Sequence, residues 1–240
     1  MLVDRKYPLI LAALFGLYVF AGKLGLSLAF LHASASPVWP PTGIALAALL
    51  TLGYRVWPAI FAGAFVVNAT TMGSAVAALA IATGNTLEAL LGAYLVNRYA
   101  NGARAFDHSQ DVFKFAGVAA LLSTIVSASI GVVSLALSGY AEWADTDEIF
   151  FTWWLGDASG ALIFAPLMVL WLRDWRGGPS RGRVLEAAAL GLTPTLVGLA
   201  GVGGGPARLG PTPLPPPVPC APPPACAAGR LPPPRPGPPG

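Results

Sequence analysis

Along most of this chain, apolar runs long enough to enter a bilayer alternate with short polar connectors. A helix needs about 20 apolar residues to cross ~30 Å of hydrocarbon. The first run extends from about Pro8 to Leu31, the second from Thr42 to Leu52 and the third from Val56 to Thr70. The fourth runs from Ala75 to Val96, the fifth from Val112 to Leu137 and the sixth from Ile149 to Leu172. A seventh starts near Val184 and fades around Val202. Runs two and three are short, and they read either as two spans or as one re-entrant hairpin. The pattern predicts an all-α, polytopic transmembrane helix bundle with six to seven helices over residues 8–202.

Composition agrees. The 240 residues are 55% hydrophobic and 10% charged, with a mean hydropathy of +0.65. Soluble domains carry about 25% charged residues. The +3 net charge lies in loops and tail, and no basic stretch with interleaved aromatics points to nucleic acid. The first run resembles a signal peptide only superficially. It is too long for an h-region, and Lys23 interrupts it.

Loop charges set an expected orientation. Arg5 and Lys6 precede run one, Arg55 lies between runs two and three, and Arg98, Arg104 and Lys114 flank the connection after run four. Arg173, Arg176, Arg181 and Arg183 follow run six. The intervening connectors have no Lys or Arg, and the one from Ser138 to Glu148 carries Glu142, Asp145, Asp147 and Glu148. By the positive-inside rule the N terminus is expected in the cytoplasm and the acidic loop outside. This alternation favours two separate crossings in residues 42–70.

The C-terminal stretch 203–240 is a different kind of sequence. Sixteen of the 24 prolines fall in the 35 residues from Pro206 to Gly240, where no Phe, Tyr, Trp or acidic residue occurs. Such a segment buries no core and is expected to be disordered or polyproline-like. It reads as a Pro-rich linker for an aromatic-lined groove or, the favoured expectation, as an out-of-frame reading of a GC-rich gene. Both cysteines, Cys220 and Cys226, lie here, so the bundle has no disulfide framework or thiolate metal site.

The candidate chemistry lies where ionisable residues interrupt apolar runs: Lys23, Glu88 and Asp157. Such groups cost at least ~2.5–3.5 kcal/mol near a bilayer centre and usually face a bundle interior or wet cavity. Gly84, Glu88 and Gly92 share one helical face, with Asn85 on the same side. Glu88 reads equally as a functional group and as a structural polar anchor. Ser123, Ser127, Gly131, Ser134 and Ser138 read as a helix-packing stripe. Asp157 needs a partner, and Lys23 is the expected one. Trp39, Trp153 and Trp154 read as interfacial anchors. No catalytic constellation, nucleotide-binding loop or metal-ligand spacing occurs in the chain, so no enzyme activity, metal or cofactor is expected of it.

Several short segments together resemble the MASE1 domain, a bacterial integral-membrane sensory domain. They are Pro37-Val38-Trp39-Pro40-Pro41-Thr42-Gly43-Ile44-Ala45, Gly53-Tyr54-Arg55-Val56-Trp57-Pro58-Ala59 with Asn68, and Gly84-Asn85-Thr86-Leu87-Glu88-Ala89. Phe106-Asp107 with Asp111-Val112, Trp153-Trp154-Leu155-Gly156-Asp157-Ala158 and Phe164-Ala165-Pro166-Leu167 complete the set. The resemblance implies about eight helices in a bacterial inner membrane, coupled to a cytoplasmic histidine kinase or cyclic-di-GMP enzyme. This chain departs from that pattern, because the Pro-rich tail begins where the last spans and the output domain are expected. The implied partners are the lipid bilayer, an unidentified small ligand or membrane stimulus, and an output domain or partner; dimerisation follows by analogy. With Asn68 added, the candidate polar core is Lys23, Asn68, Asn85, Glu88 and Asp157. A small-solute transporter or channel subunit is the alternative reading, weakened by the lack of a clear internal repeat.

Overall fold

The computed structural model describes residues 3–27, 36–72 and 74–174, all within the first of two units, Met1–Pro179. The expected seventh span, the Pro-rich tail and both cysteines lie outside the described residues. Every described regular element is helical: α1 (Val3–Leu26), α2 (Pro40–Leu52), α3 (Trp57–Met72) and α4 (Ala75–Tyr99) come first. Next, α5 (Ser109–Phe115) runs through a π-helical stretch (Ala116–Ser123) into α6 (Thr124–Leu137), and α7 (Thr146–Asp174) follows. Four helical segments are long and apolar enough to cross a membrane: Lys6–Leu26, Ala75–Tyr99, Ser109–Leu137 and Trp143–Arg173.

Local sequence explains the helix ends. Pro40 and Pro41 occupy the first turn of α2, where no intrahelical N–H bond is needed and proline's φ already fits. At the other end Gly53 adopts φ 87°, which favours glycine, and its N–H bonds to the Leu49 carbonyl. Ser74 caps α4 by accepting a bond from the Ala77 N–H at 3.3 Å. The π-helical stretch widens the fifth span, and there the Leu121 carbonyl accepts a bond from Trp154 Nε1 on α7 at 3.0 Å.

Helix α2 is the centre of the bundle. Residues Pro40 through Leu49 are all buried, and α2 packs most extensively on α7, then on α4 and α1. At 13 residues it is about 20 Å long, too short to cross hydrocarbon alone. Enclosure by protein removes that requirement. Helices α2 and α3 barely touch, because α3 packs on α4 and α1 instead. The segment folds as two separate helices that share α1 and α4 as neighbours and have little contact with each other.

Glycines set the closest approaches. A Cβ on Gly156 or Gly160 of α7 would run into the Ser36 or Trp39 carbonyl oxygen, and one on Gly43 of α2 into the Gly160 carbonyl. Trp39 N–H donates to the Gly156 carbonyl at 3.0 Å across this contact. Trp39 and Trp153 are buried at 7% and 5% exposure, so neither is the interfacial anchor expected of it. Trp153 lies flat against Gly131 of α6, and the missing side chain makes room for its ring.

The two ends of the bundle differ in charge. At one end the Tyr7 hydroxyl donates to the Arg55 carbonyl at 2.6 Å, Asn97 donates to the Tyr54 hydroxyl, and Arg173 pairs with Asp107. Arg98, Arg104 and Lys114 join that end in sequence. At the other end lie the Ser36–Trp39 segment and the exposed acidic loop Glu142–Glu148.

Gly156→Ala must shift α7 off a backbone carbonyl, and overpacking of this kind costs about 1–3 kcal/mol. A clear drop in thermal midpoint is expected in lipid nanodiscs. Gly16→Ala, where a Cβ meets nothing within 4 Å, is the matched control and should leave the midpoint unchanged or slightly raised.

Candidate functional site

The α2–α7 contact carries Asp157 into the interior. With Gly156 and Gly160 letting the backbones close, Ser159 Oγ donates to the Pro37 carbonyl at 3.2 Å. One residue along, Thr42 Oγ1 donates to Asp157 Oδ1 at 2.9 Å. Asp157 has no solvent exposure. The two segments that resembled a family motif separately, 37–45 and 153–158, are therefore the two halves of one contact.

Helix α4 brings the second carboxylate. Gly84 packs against Ile130 and Gly92 against Ser123, so the Glu88 face of α4 lies close to the fifth span. Glu88 is 1% exposed, and its carboxyl faces Asp157, Thr42 and Ser127. Asn85, on the same α4 face, accepts from Ser127 Oγ at 2.7 Å. Tyr18 of α1, 1% exposed, closes the centre next to Trp39 and Asn85. Five helical elements thus converge on one polar centre: α1, α2, α4, α6 and α7.

This centre is under-satisfied. Both Glu88 oxygens and Asp157 Oδ2 are buried without a protein hydrogen-bond partner, and so are the donors Asn85 Nδ2 and Trp39 Nε1. A buried polar group left unpaired costs about 1–3 kcal/mol, more when charged. Among the described residues no group of three or more His, Cys, Asp or Glu is placed to hold a metal ion.

Of the expected polar core, Asn85, Glu88 and Asp157 come together, and Lys23 and Asn68 do not join them. Lys23 donates to the Val67 carbonyl at 3.1 Å and to Thr71 Oγ1 at 2.8 Å, with its side chain at the α1–α3 seam. The expected Lys23–Asp157 ion pair is not formed. Lys23 lies in the last turn of α1, where its long stem reaches carbonyl and hydroxyl acceptors near the end of α3. Asn68 donates to the Ala64 carbonyl of its own helix. Of the remaining motif residues, Trp57 and Pro58 are exposed at the start of α3, where Trp57 meets Phe61 edge-on.

Sequence reasoning missed Tyr18, Trp39, Thr42 and Ser127 as members of the centre. Thr42 and Trp39 were legible only as part of a rigid helix start, and Ser127 as part of a small-residue stripe. Tyr18 carries no local signal in an apolar helix.

Outside the membrane-spanning segments, Arg173 donates to both Asp107 oxygens, at 2.7 and 3.2 Å, and to the Ala103 carbonyl at 3.1 Å. These hydrogen bonds hold the Asp107 carboxyl below its usual range.

The fold and centre define a multi-pass membrane protein: a helical bundle built round a buried acidic pair. Residues 10–201 match the MASE1 family model, and the chain belongs to that family of membrane-associated sensory domains. No curated protein and no solved structure matches the chain.

Thr42→Val keeps the shape and removes the donor to Asp157 Oδ1. A loss of about 1–3 kcal/mol is expected in chemical or thermal unfolding, with Thr42→Ser close to the unaltered chain. The Asp107–Arg173 pair gives a separate signature. A carboxyl held low in the folded state adds stability above its unfolded pKa of about 3.9 and loses it as pH falls through the lower folded value. Acid titration of thermal stability should show this loss in the unaltered chain. The same titration of Asp107→Asn should lack that component.

Proposed function

We propose that this chain is the sensory input module of a bacterial signalling protein, with the Glu88–Asp157 centre as its stimulus-responsive element. Family membership supports a sensory role. The observation that carries the reading is the position of Asp157 on α7. Its carboxylate is tied to α2 through Thr42, while the far end of the same helix is latched by Arg173 to Asp107 and the Ala103 carbonyl. Sixteen residues separate the two points, about 24 Å of helix. A change of contacts at the centre therefore acts on one continuous helix, with Pro166 inside it, that ends among the basic residues.

The positive-inside rule makes the basic end cytoplasmic and the Glu142–Glu148 loop external, with the N terminus inside an inner membrane. The output is a histidine kinase or a cyclic-di-GMP enzyme, as an attached cytoplasmic domain or a separate partner. A stimulus shifts such a module only by binding one helix arrangement better than another.

The test joins residues 1–201 to a cyclase or kinase reporter. Asp157→Asn and Glu88→Gln should each change reporter output several-fold at unchanged membrane level. Lys23→Met, at the α1–α3 seam, should leave output as it was. Unchanged output in both carboxylate variants would refute the assignment of the centre.

A further inference from the structure

The interior centre has an imbalance that its own side chains do not resolve. Two carboxylates from different helices, Glu88 of α4 and Asp157 of α7, face one another, both essentially without solvent exposure. Every other described group facing them is neutral: Tyr18 from α1, Trp39 and Thr42 at the start of α2, Asn85 from α4, Ser127 from α6 and Trp153 from α7. Lys23 is committed to Val67 and Thr71, and Arg173 to Asp107 and Ala103 about 24 Å along α7. Among the described residues no cation is thus placed to offset the pair. Two like charges in a low-dielectric interior repel strongly, and the desolvation of each adds to that cost.

A second observation is independent of the charge. Asn85 Nδ2 and Trp39 Nε1 are donors on side chains 4% and 7% exposed; both lie near the Tyr18 hydroxyl, and neither reaches an acceptor in hydrogen-bond geometry. Three carboxylate oxygens at the same centre have no donor. A bare ion would satisfy the oxygens and leave the two N–H groups unpaired. A small cation carried with water satisfies both sets. The positive charge goes to the carboxylate oxygens, water hydrogens to the remaining oxygens, and water oxygens accept from the indole and the amide.

We infer that Glu88 and Asp157 form a binding site for one monovalent cation, a sodium ion or a proton, held together with water between α4 and α7. The inference rests on the reading of this centre as the responsive element and names its ligand class. Among the described residues no third Asp, Glu, His or Cys joins the pair, which leaves it short of the ligand set of a dedicated divalent-metal site. Occupancy draws Asp157 toward Glu88 while Thr42 holds Asp157 Oδ1, so α7 is pulled against α4 and α2 together. Emptying the site leaves two facing charges that push α7 away.

The experiment uses the full chain in nanodiscs, titrated with sodium chloride against choline chloride at constant ionic strength, from mildly acidic to mildly alkaline pH. Thermal midpoint and the infrared carbonyl band of protonated carboxyl groups are read together. A sodium-specific rise in midpoint, lost in both Glu88→Gln and Asp157→Asn, establishes the site with sodium as the ion. No sodium effect, with a protonated-carboxyl band that disappears in either variant, establishes it with the proton. A sodium effect that persists in both variants overturns the inference. So does a chain with both carboxylates ionised throughout and no sodium dependence. The sodium series and the infrared band of the unaltered chain stand without any variant, so a misfolded substitution does not leave the matter open. Neither readout uses signalling output, so a negative result removes the cation and leaves the sensory reading to its reporter test.

Discussion

The backbone-close seat of α7 on α2 is the constraint on which the rest depends. It exists because Gly43, Gly156 and Gly160 present no Cβ where the two chains meet. Small residues at such crossings are the usual means by which helices in lipid approach closely, since lipid tails supply no hydrophobic drive for association. The approach is close enough for a main-chain hydrogen bond from Trp39 to Gly156, between a loop and a helix interior. It also delivers Thr42 to Asp157. Without that seat, the 13-residue apolar α2 would lose its most extensive packing partner.

Enclosure in turn makes the acidic pair possible. A carboxylate facing lipid has neither partner nor water, whereas one facing a central helix is offered hydroxyl and amide groups. Here α2, α4 and α6 offer Thr42, Asn85 and Ser127. The supply falls short of the demand, and buried orphan groups are left on both the donor and the acceptor side. Structural polar anchors are normally fully bonded. An under-bonded centre at the junction of five helical elements fits a role in which contacts change.

Much of this was legible in order and type but not in pairing. The apolar runs placed the six described helical runs, α5 to α6 being one, to within a few residues, because hydrocarbon thickness and helical rise leave little choice of length. The four-residue spacing of Gly84, Glu88 and Gly92 correctly gave a face packed on a neighbour, since helical periodicity is local. The partner of Asp157 is not legible in this way. Proximity to the same end of a span favoured Lys23, yet the rotation of α1 carries Lys23 to α3 and Tyr18 to the centre. Rotation about a helix axis is decided by packing, and no single-helix pattern in α1 records it.

The sequence by itself determined that this is a polytopic membrane bundle with a buried acidic face, and which loops carry the positive charge. These follow from composition, run length and period, all properties of one segment at a time. Only the tertiary structure decided that Trp39 and Trp153 turn inward and that the proline-rich helix start and the tryptophan-rich helix lock together. It also decided that Glu88 and Asp157 meet. The physical reason is that close approach depends on which glycine faces which backbone, a condition on two distant segments at once.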